Sequence, residues 1–227
     1  MREPKRPVGR PAVLSRHMVL DAAMALLESD GIGSVSIRGV ARRLHVSPMA
    51  LYRHVADKDE LLVALVETLA SELRFPERPD NPREAIIVLW VTLYDGLSQR
   101  PWMPELLARH RLMATSVLDA VEEIHARLLD VGLSIEQAVS AYRIMWHFTL
   151  GTLLTITGVT TTEDANVQRQ LRGNPDPGRY PTLAAAAPAW TAANRRDTYR
   201  TDLTALLCSL TPPGVQDTPG TGGKGPE

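Results

Sequence analysis

Residues 36–58, SIRGVARRLHVSPMALYRHVADK, leave this chain few conformational choices. Ile37, Val40, Ala41 and Leu44 recur at i, i+3, i+4 and i+7, the spacing that lines one face of a helix. Ser34 or Ser36 is placed to cap it. His45-Val46 makes a short turn. Ser47-Pro48 then starts a second helix, a capping hydroxyl followed by proline at the first helical position. That helix spans about residues 48–55. Two helices this short cannot bury their faces alone. The expected unit is a helix-turn-helix packed on a preceding helix, where Val19, Ala22, Ala23, Leu26 and Leu27 repeat the same spacing after a capping Ser15. Asp57, with Glu60 three residues on, opens a fourth helix with Leu61, Leu62, Leu65, Val66 and Leu69 on one face.

The rest of the chain also reads as helical. Asn81-Pro82 starts a helix through Ile86, Ile87, Leu89, Trp90, Leu93 and Leu97. A short piece between Pro101 and Arg109 follows, then a helix over about 115–131 stopped by Gly132. Ser134, with Gln137 three residues later, opens the longest apolar helix, carrying Ala138, Val139, Tyr142, Met145, Trp146, Thr149, Leu150, Leu153 and Leu154. Residues 159–180 read as a loop, and a helical region from Pro181 closes with Leu203, Leu206, Leu207 and Leu210. No stretch alternates with the period of a strand. The expected fold class is therefore all-α, with a three-helix helix-turn-helix domain in front of a helical body. Its divisions are a basic flexible arm (1–14), the helix-turn-helix domain (15–58), a connecting helix (59–74), a helical body (75–211) and a Pro/Gly-rich tail (212–227). At 44% hydrophobic and 22% charged residues, the chain can bury a core, which excludes wholesale disorder.

Charge points to a partner. The net charge is −1, but residues 1–58 hold ten Lys or Arg against five Asp or Glu, and the remainder holds fifteen against twenty-one. A basic front on an acidic body suggests a polyanion-binding module on a carrier. With Ile37, Val40, Ala41, Leu44, Val46, Leu51 and Val55 turned inward, Met49, Ala50, Tyr52, Arg53 and His54 face outward on the third helix. A helix of that size fits the roughly 12 Å major groove of DNA. Met49 and Ala50 offer apolar contact to thymine methyls, and Arg38 can meet a guanine with two hydrogen bonds. Tyr52 and His54 can donate to phosphate, as can Lys58 at the start of the fourth helix. The arm, with Arg2, Lys5, Arg6 and Arg10, is either a solvated tail or a follower of the minor groove.

This segment resembles the tetracycline-repressor (TetR) family of bacterial transcription regulators. The carrying residues are the run Val40-Ala41-Arg42-Arg43-Leu44-His45-Val46-Ser47, the pentad Leu51-Tyr52-Arg53-His54-Val55, and Lys58 followed by Glu60-Leu61-Leu62. Further on, Gly132-Leu133-Ser134 and His147-Phe148-Thr149-Leu150-Gly151 are similar to the family's effector domain, and similarity extends over about 15–158. The resemblance implies base-region contacts from Arg38, Met49, Ala50 and Arg53, and phosphate contacts from Ser36, Ser47, Tyr52, His54 and Lys58. It implies a homodimeric repressor on a palindromic double-stranded operator, joined through helices near 134–157 and 197–210, with the fourth helix as the lever to a small-molecule pocket. Candidates for that pocket are Trp90, Tyr94, Trp102, Met113, Trp146 and His147, of which His147 stands in the matched segment.

The chain departs from the tetracycline repressor itself. Where that protein has histidines for its magnesium–tetracycline complex, this chain has Arg74 and Leu106. Neither offers an imidazole nitrogen, so no cofactor, no metal and no tetracycline response of that kind is expected. The effector is expected to be small and largely apolar. An enzyme is not expected: there is no nucleophile–base pair or phosphate loop, and His110, His125 and His147 fall on separate helices without an acidic partner. The remaining alternative is an all-α protein-interaction or ligand-binding module without sequence-specific DNA binding. No apolar run approaches the roughly 18 residues of a membrane helix. With a single cysteine, Cys208, and no secretory pattern at the start, the expected setting is a reduced, cytoplasmic one.

Overall fold

The computed structural model describes residues 14–110, 112, 114–157, 175–192 and 195–212, and the fold is all-helical. The expected arm, most of the 159–180 loop, Met113 and the tail beyond residue 212 lie outside the described residues. Two compact units emerge, Met1–Glu72 with Leu112–Thr115, and Leu73–Arg111 with Ser116–Glu227.

In the first unit, α1 (Arg16–Asp30) begins where the Ser15 hydroxyl accepts the Met18 N–H at 3.2 Å. It buries Val19, Ala22, Ala23, Leu26 and Leu27. Gly31, at φ 74°, ends it in a backbone region that suits a residue without Cβ. α2 (Ile37–Leu44) buries Ile37, Val40 and Ala41, while Leu44 and Val46 are only half-buried. α2 stops in a hydrogen-bonded cap: the Val46 N–H donates to the Ala41 carbonyl at 3.0 Å and the His45 N–H to that of Arg42 at 3.2 Å. The cap puts His45 at φ 55°, a left-handed position usually held by glycine. α3 (Pro48–Leu51) and α4 (Lys58–Ala70) follow, with α1 packed on both α2 and α4.

Gly39 lets α2 dock closely. A Cβ there would sit 2.9 Å from the Ser34 carbonyl oxygen, a backbone atom with little freedom to retreat. Helix propensity alone would favour Gly39→Ala by about 1 kcal/mol. The clash reverses the sign, and we expect the variant to be destabilised by about 1–3 kcal/mol in urea unfolding. An unchanged or raised midpoint would contradict the close approach.

In the second unit, α5 (Pro82–Ser98) starts under an Asn81 cap that accepts the Glu84 N–H at 3.1 Å. α6 (Met103–His110), α7 (Leu118–Asp130) and α8 (Ile135–Thr157) follow, then α9 (Pro181–Ala192) and α10 (Arg195–Leu210). Gly132, at φ 94°, breaks the chain between α7 and α8. Ser134 and Gln137 then form a reciprocal cap, the Ser134 N–H donating to the Gln137 side chain at 2.8 Å and the Gln137 N–H to the Ser134 hydroxyl at 3.3 Å. The core joins α5, α7, α8 and α10 through Ile86, Leu89, Ile124, Leu128, Met145, Leu153, Tyr199, Leu203 and Leu207.

An aromatic stack runs through that core. The Tyr199 ring lies 3.7 Å from Tyr94 and 5.7 Å from Phe148, centroid to centroid. Thr149 gives its proton to the Met145 carbonyl at 2.8 Å, which leaves Tyr199 to donate to the Thr149 oxygen at 2.8 Å. Burial pushes the Tyr199 phenol far above its ordinary pKa. Arg83 on α5 bonds to Thr211 and to the Pro212 carbonyl, while Arg200 on α10 pairs with Glu84 at 3.0 Å. These bonds fix the ends of α10 against α5.

Candidate functional site

The outer face of α2 and α3 assembles most of the expected DNA-facing residues. Arg38, Ser47, Met49, Tyr52 and Arg53 are exposed, and Ser36, Ala50, His54 and Lys58 are half-buried. Met49 at 74% and Tyr52 at 51% exposure hold apolar surface in water, while Leu51, between them in sequence, and the nearby Val55 are buried.

Two local details differ from the sequence expectation, the length of α3 and the cap at Ser47. α3 is a four-residue helix, Pro48–Leu51, and not an eight-residue one. It runs out in a tightened turn, where the His54 N–H reaches the Leu51 carbonyl at 2.8 Å in a three-residue step. Ser47 stands at the N-cap, but its hydroxyl makes no capping bond and stays free for another partner. Ser36 does cap, accepting the Gly39 N–H at 3.0 Å, so its oxygen is engaged and its proton remains to donate. Asp57 caps α4 by accepting the Glu60 N–H at 2.8 Å, and Glu60 reaches back to the Ala56 N–H at 2.6 Å. That sets Lys58 in the first turn of α4.

The cations are distributed unevenly. Arg38, Arg42, Arg43, Arg53 and Lys58 form no ion pair among the described residues, whereas in the second unit Arg78, Arg109, Arg127 and Arg200 each meet a carboxylate within 3.6 Å. In the first unit Arg16 pairs with Glu60 at 3.2 Å. These five lie in the stretch that holds the exposed Met49 and Tyr52, while Arg83, Arg143 and Arg179 of the second unit also lack an ion pair among the described residues. Arg42 is not among the contact residues expected from the sequence. It lies one helical turn beyond Arg38, exposed on the same face of α2, and the i, i+4 spacing is the signal that identifies it.

The expected ligand residues of the second unit separate into groups. Trp90 is wholly buried and touches Trp146, their ring centroids 6.2 Å apart. Tyr94 is buried in the stack with Tyr199. Trp102 is half-buried just before α6. His147 is exposed, about 100° around α8 from Trp146, and does not join the Trp90 group. Two residues not singled out from sequence do join it. Tyr142 lies 5.4 Å from Trp90, and His125 stacks on Tyr142 at 4.8 Å. Tyr142 precedes Trp146 by four residues, which places both on the inner face of α8. The His125 Nδ1 lies 2.8 Å from the Val121 carbonyl and therefore carries the proton. Burial raises the Tyr142 phenol above its ordinary pKa.

One polar atom in this group has no partner. The Trp90 Nε1 is buried without a hydrogen bond, the only such side-chain atom among the described residues. A buried unpaired N–H costs about 1–3 kcal/mol.

Similarity to known proteins follows the same division. The family described as "Bacterial regulatory proteins, tetR family" matches residues 19–65, and "Tetracyclin repressor-like, C-terminal domain" matches residues 75–209. An HTH-type transcriptional regulator from Saccharopolyspora erythraea is 25% identical over 189 residues, covering 82% of this chain and 80% of that protein. Tetracycline repressor protein class D from Escherichia coli is 32% identical over 155 residues, 63% of this chain and 66% of that protein. Among solved structures, apo ActR from Streptomyces coelicolor matches with a TM-score of 0.75 at 19% identity, over 88% of this chain and 96% of that one.

Proposed function

We propose that this chain, which belongs to the TetR family of bacterial regulatory proteins and is a DNA-binding transcription regulator, acts as a homodimeric repressor released from a palindromic operator by a small, largely apolar ligand. The observation that carries the reading is the surface of α2 and α3, where unpaired arginines accompany an exposed methionine and tyrosine. Arg38, Met49, Ala50 and Arg53 read base edges. Ser36, Ser47, Tyr52, His54 and Lys58 hold phosphates, and Arg42 adds a further cation.

One such head makes too few contacts, and two heads at the spacing of one helical turn of DNA solve this. The dimer forms through α8 and α10, which pack against each other and leave outward faces. On α8 that face carries Val139, Arg143, Ile144, His147, Gly151 and Leu154. On α10 it carries the small residues Thr201, Thr204, Ala205 and Cys208. Leu203 and Leu207 do not contribute, because both are buried in their own chain's core.

The ligand acts by preferring one of two states, and operator affinity falls by that preference. The chain itself links the units. Leu112–Thr115 belongs to the first unit, where the Thr115 N–H donates to Glu67 of α4 at 2.5 Å. In sequence it lies between α6 and α7, and in this proposal α4 is the lever. The magnesium–tetracycline complex does not suit this chain. Leu106 is buried and apolar, and Arg74 is an exposed cation that donates to the Leu73 carbonyl at 3.1 Å.

Salt dependence tests the DNA reading against a protein-interaction module. With two or three charged phosphate contacts per head, and so four to six in the dimer, operator affinity is expected to fall by roughly a hundred- to a thousandfold between 50 and 200 mM salt. Binding that is indifferent to salt would contradict it.

A further inference from the structure

We infer that the effector of this protein is a flat aromatic molecule bearing a carbonyl-type oxygen, and that this oxygen accepts the hydrogen bond of Trp90 Nε1. The inference rests on the reading of the second unit as the ligand domain. It starts from two independent observations. The first is a group of aromatic rings, with Trp90 5.4 Å from Tyr142 and 6.2 Å from Trp146, both pairs tilted by about 45°. The second is the buried indole N–H of Trp90, which has no acceptor.

Aromatic walls alone would suit several ligands, including a quaternary ammonium held against ring faces. The unpaired donor decides between them. An N–H presents its positive end, which repels a cation and attracts an oxygen lone pair. Core packing alone leaves that proton unsatisfied, and it discriminates strongly between ligands with and without an acceptor. Trp90 is closed to solvent, whereas Tyr142 and Trp146 are only half-buried. Those two rings are the part of the group that a ligand meets first.

The test uses 9-fluorenone and fluorene, rigid tricycles of nearly equal shape that differ in carrying a carbonyl or a methylene. Both are titrated into the full chain by calorimetry, with the tryptophan indole N–H resonances followed by NMR and the Trp90 signal assigned by its loss in Trp90→Phe. Fluorenone is expected to bind about tenfold more tightly than fluorene and to move the Trp90 resonance downfield. In Trp90→Phe the two probes are expected to bind equally, and a cooperative urea transition of the variant reports that its fold survives. Equal affinities in the native protein, an unmoved Trp90 signal, or binding of neither probe would overturn the inference. Binding of both without preference leaves the ligand-domain reading standing and removes only the acceptor.

Discussion

Replacing Leu154 by glutamate is expected to lower operator affinity by roughly 10²–10⁴-fold, the range by which linking two binding heads exceeds one. Leu154 lies on the outward face of α8, 36% exposed, close to the line of Arg143 and His147. In the isolated chain a glutamate there meets water and costs little. In the proposed dimer it is driven into a helix–helix seam, where burying a charge is expensive. The same variant should therefore sediment as a monomer, unfold at nearly the native urea midpoint when measured as a monomer, and retain weak, non-specific DNA binding. A Leu154→Glu protein that stays dimeric would move the interface to another surface, and one that is monomeric but binds the operator undiminished would remove the need for two heads.

Replacing Arg38 by alanine is expected to weaken operator binding by about 1–3 kcal/mol, roughly fivefold to 150-fold. Arg38 is exposed and makes no ion pair among the described residues, so the substitution disturbs nothing within the fold and the unfolding midpoint should not move. The loss should be specific: relaxed discrimination at one base position per half-site and an almost unchanged salt slope. Lys58→Ala should do the converse, weakening binding to all sequences alike and lowering the slope by about one unit per head. If the two variants behaved identically, the division into base-reading and phosphate-holding residues would be wrong.

Much of this was legible because it is local. Ser15, Ser36, Asp57, Asn81 and Ser134 each accept the backbone N–H three residues on, as their positions before apolar-periodic runs implied. Gly31 and Gly132 both take positive φ at helix ends. Ser47 shows the limit of the rule. It has the right residue type before Pro48, but the following helix is four residues long and its hydroxyl is left uncommitted.

The face of α8 shows another limit. Its apolar row includes Leu154 and runs beside His147, and only the packed structure shows which positions turn inward. Tyr142, Trp146 and Leu153 do so to different depths, while His147 and Leu154 face out. What joins distant segments was not legible at all. The pairing of Arg200 with Glu84 and the hydrogen bond from Thr115 to Glu67 link residues 116 and 48 positions apart. No local spacing encodes such contacts. The lone N–H of Trp90 belongs with them, because a missing partner can be recognised only after every neighbour is in place.

The most direct test of the central claim is selection from a random pool of double-stranded DNA, run in parallel with the native protein and Arg38→Ala. Enrichment of a palindromic site by the native protein, weakened or lost in the variant, is the result expected of a dimer that reads sequence through α2 and α3. No enriched site, or the same site enriched equally by both proteins, would contradict it.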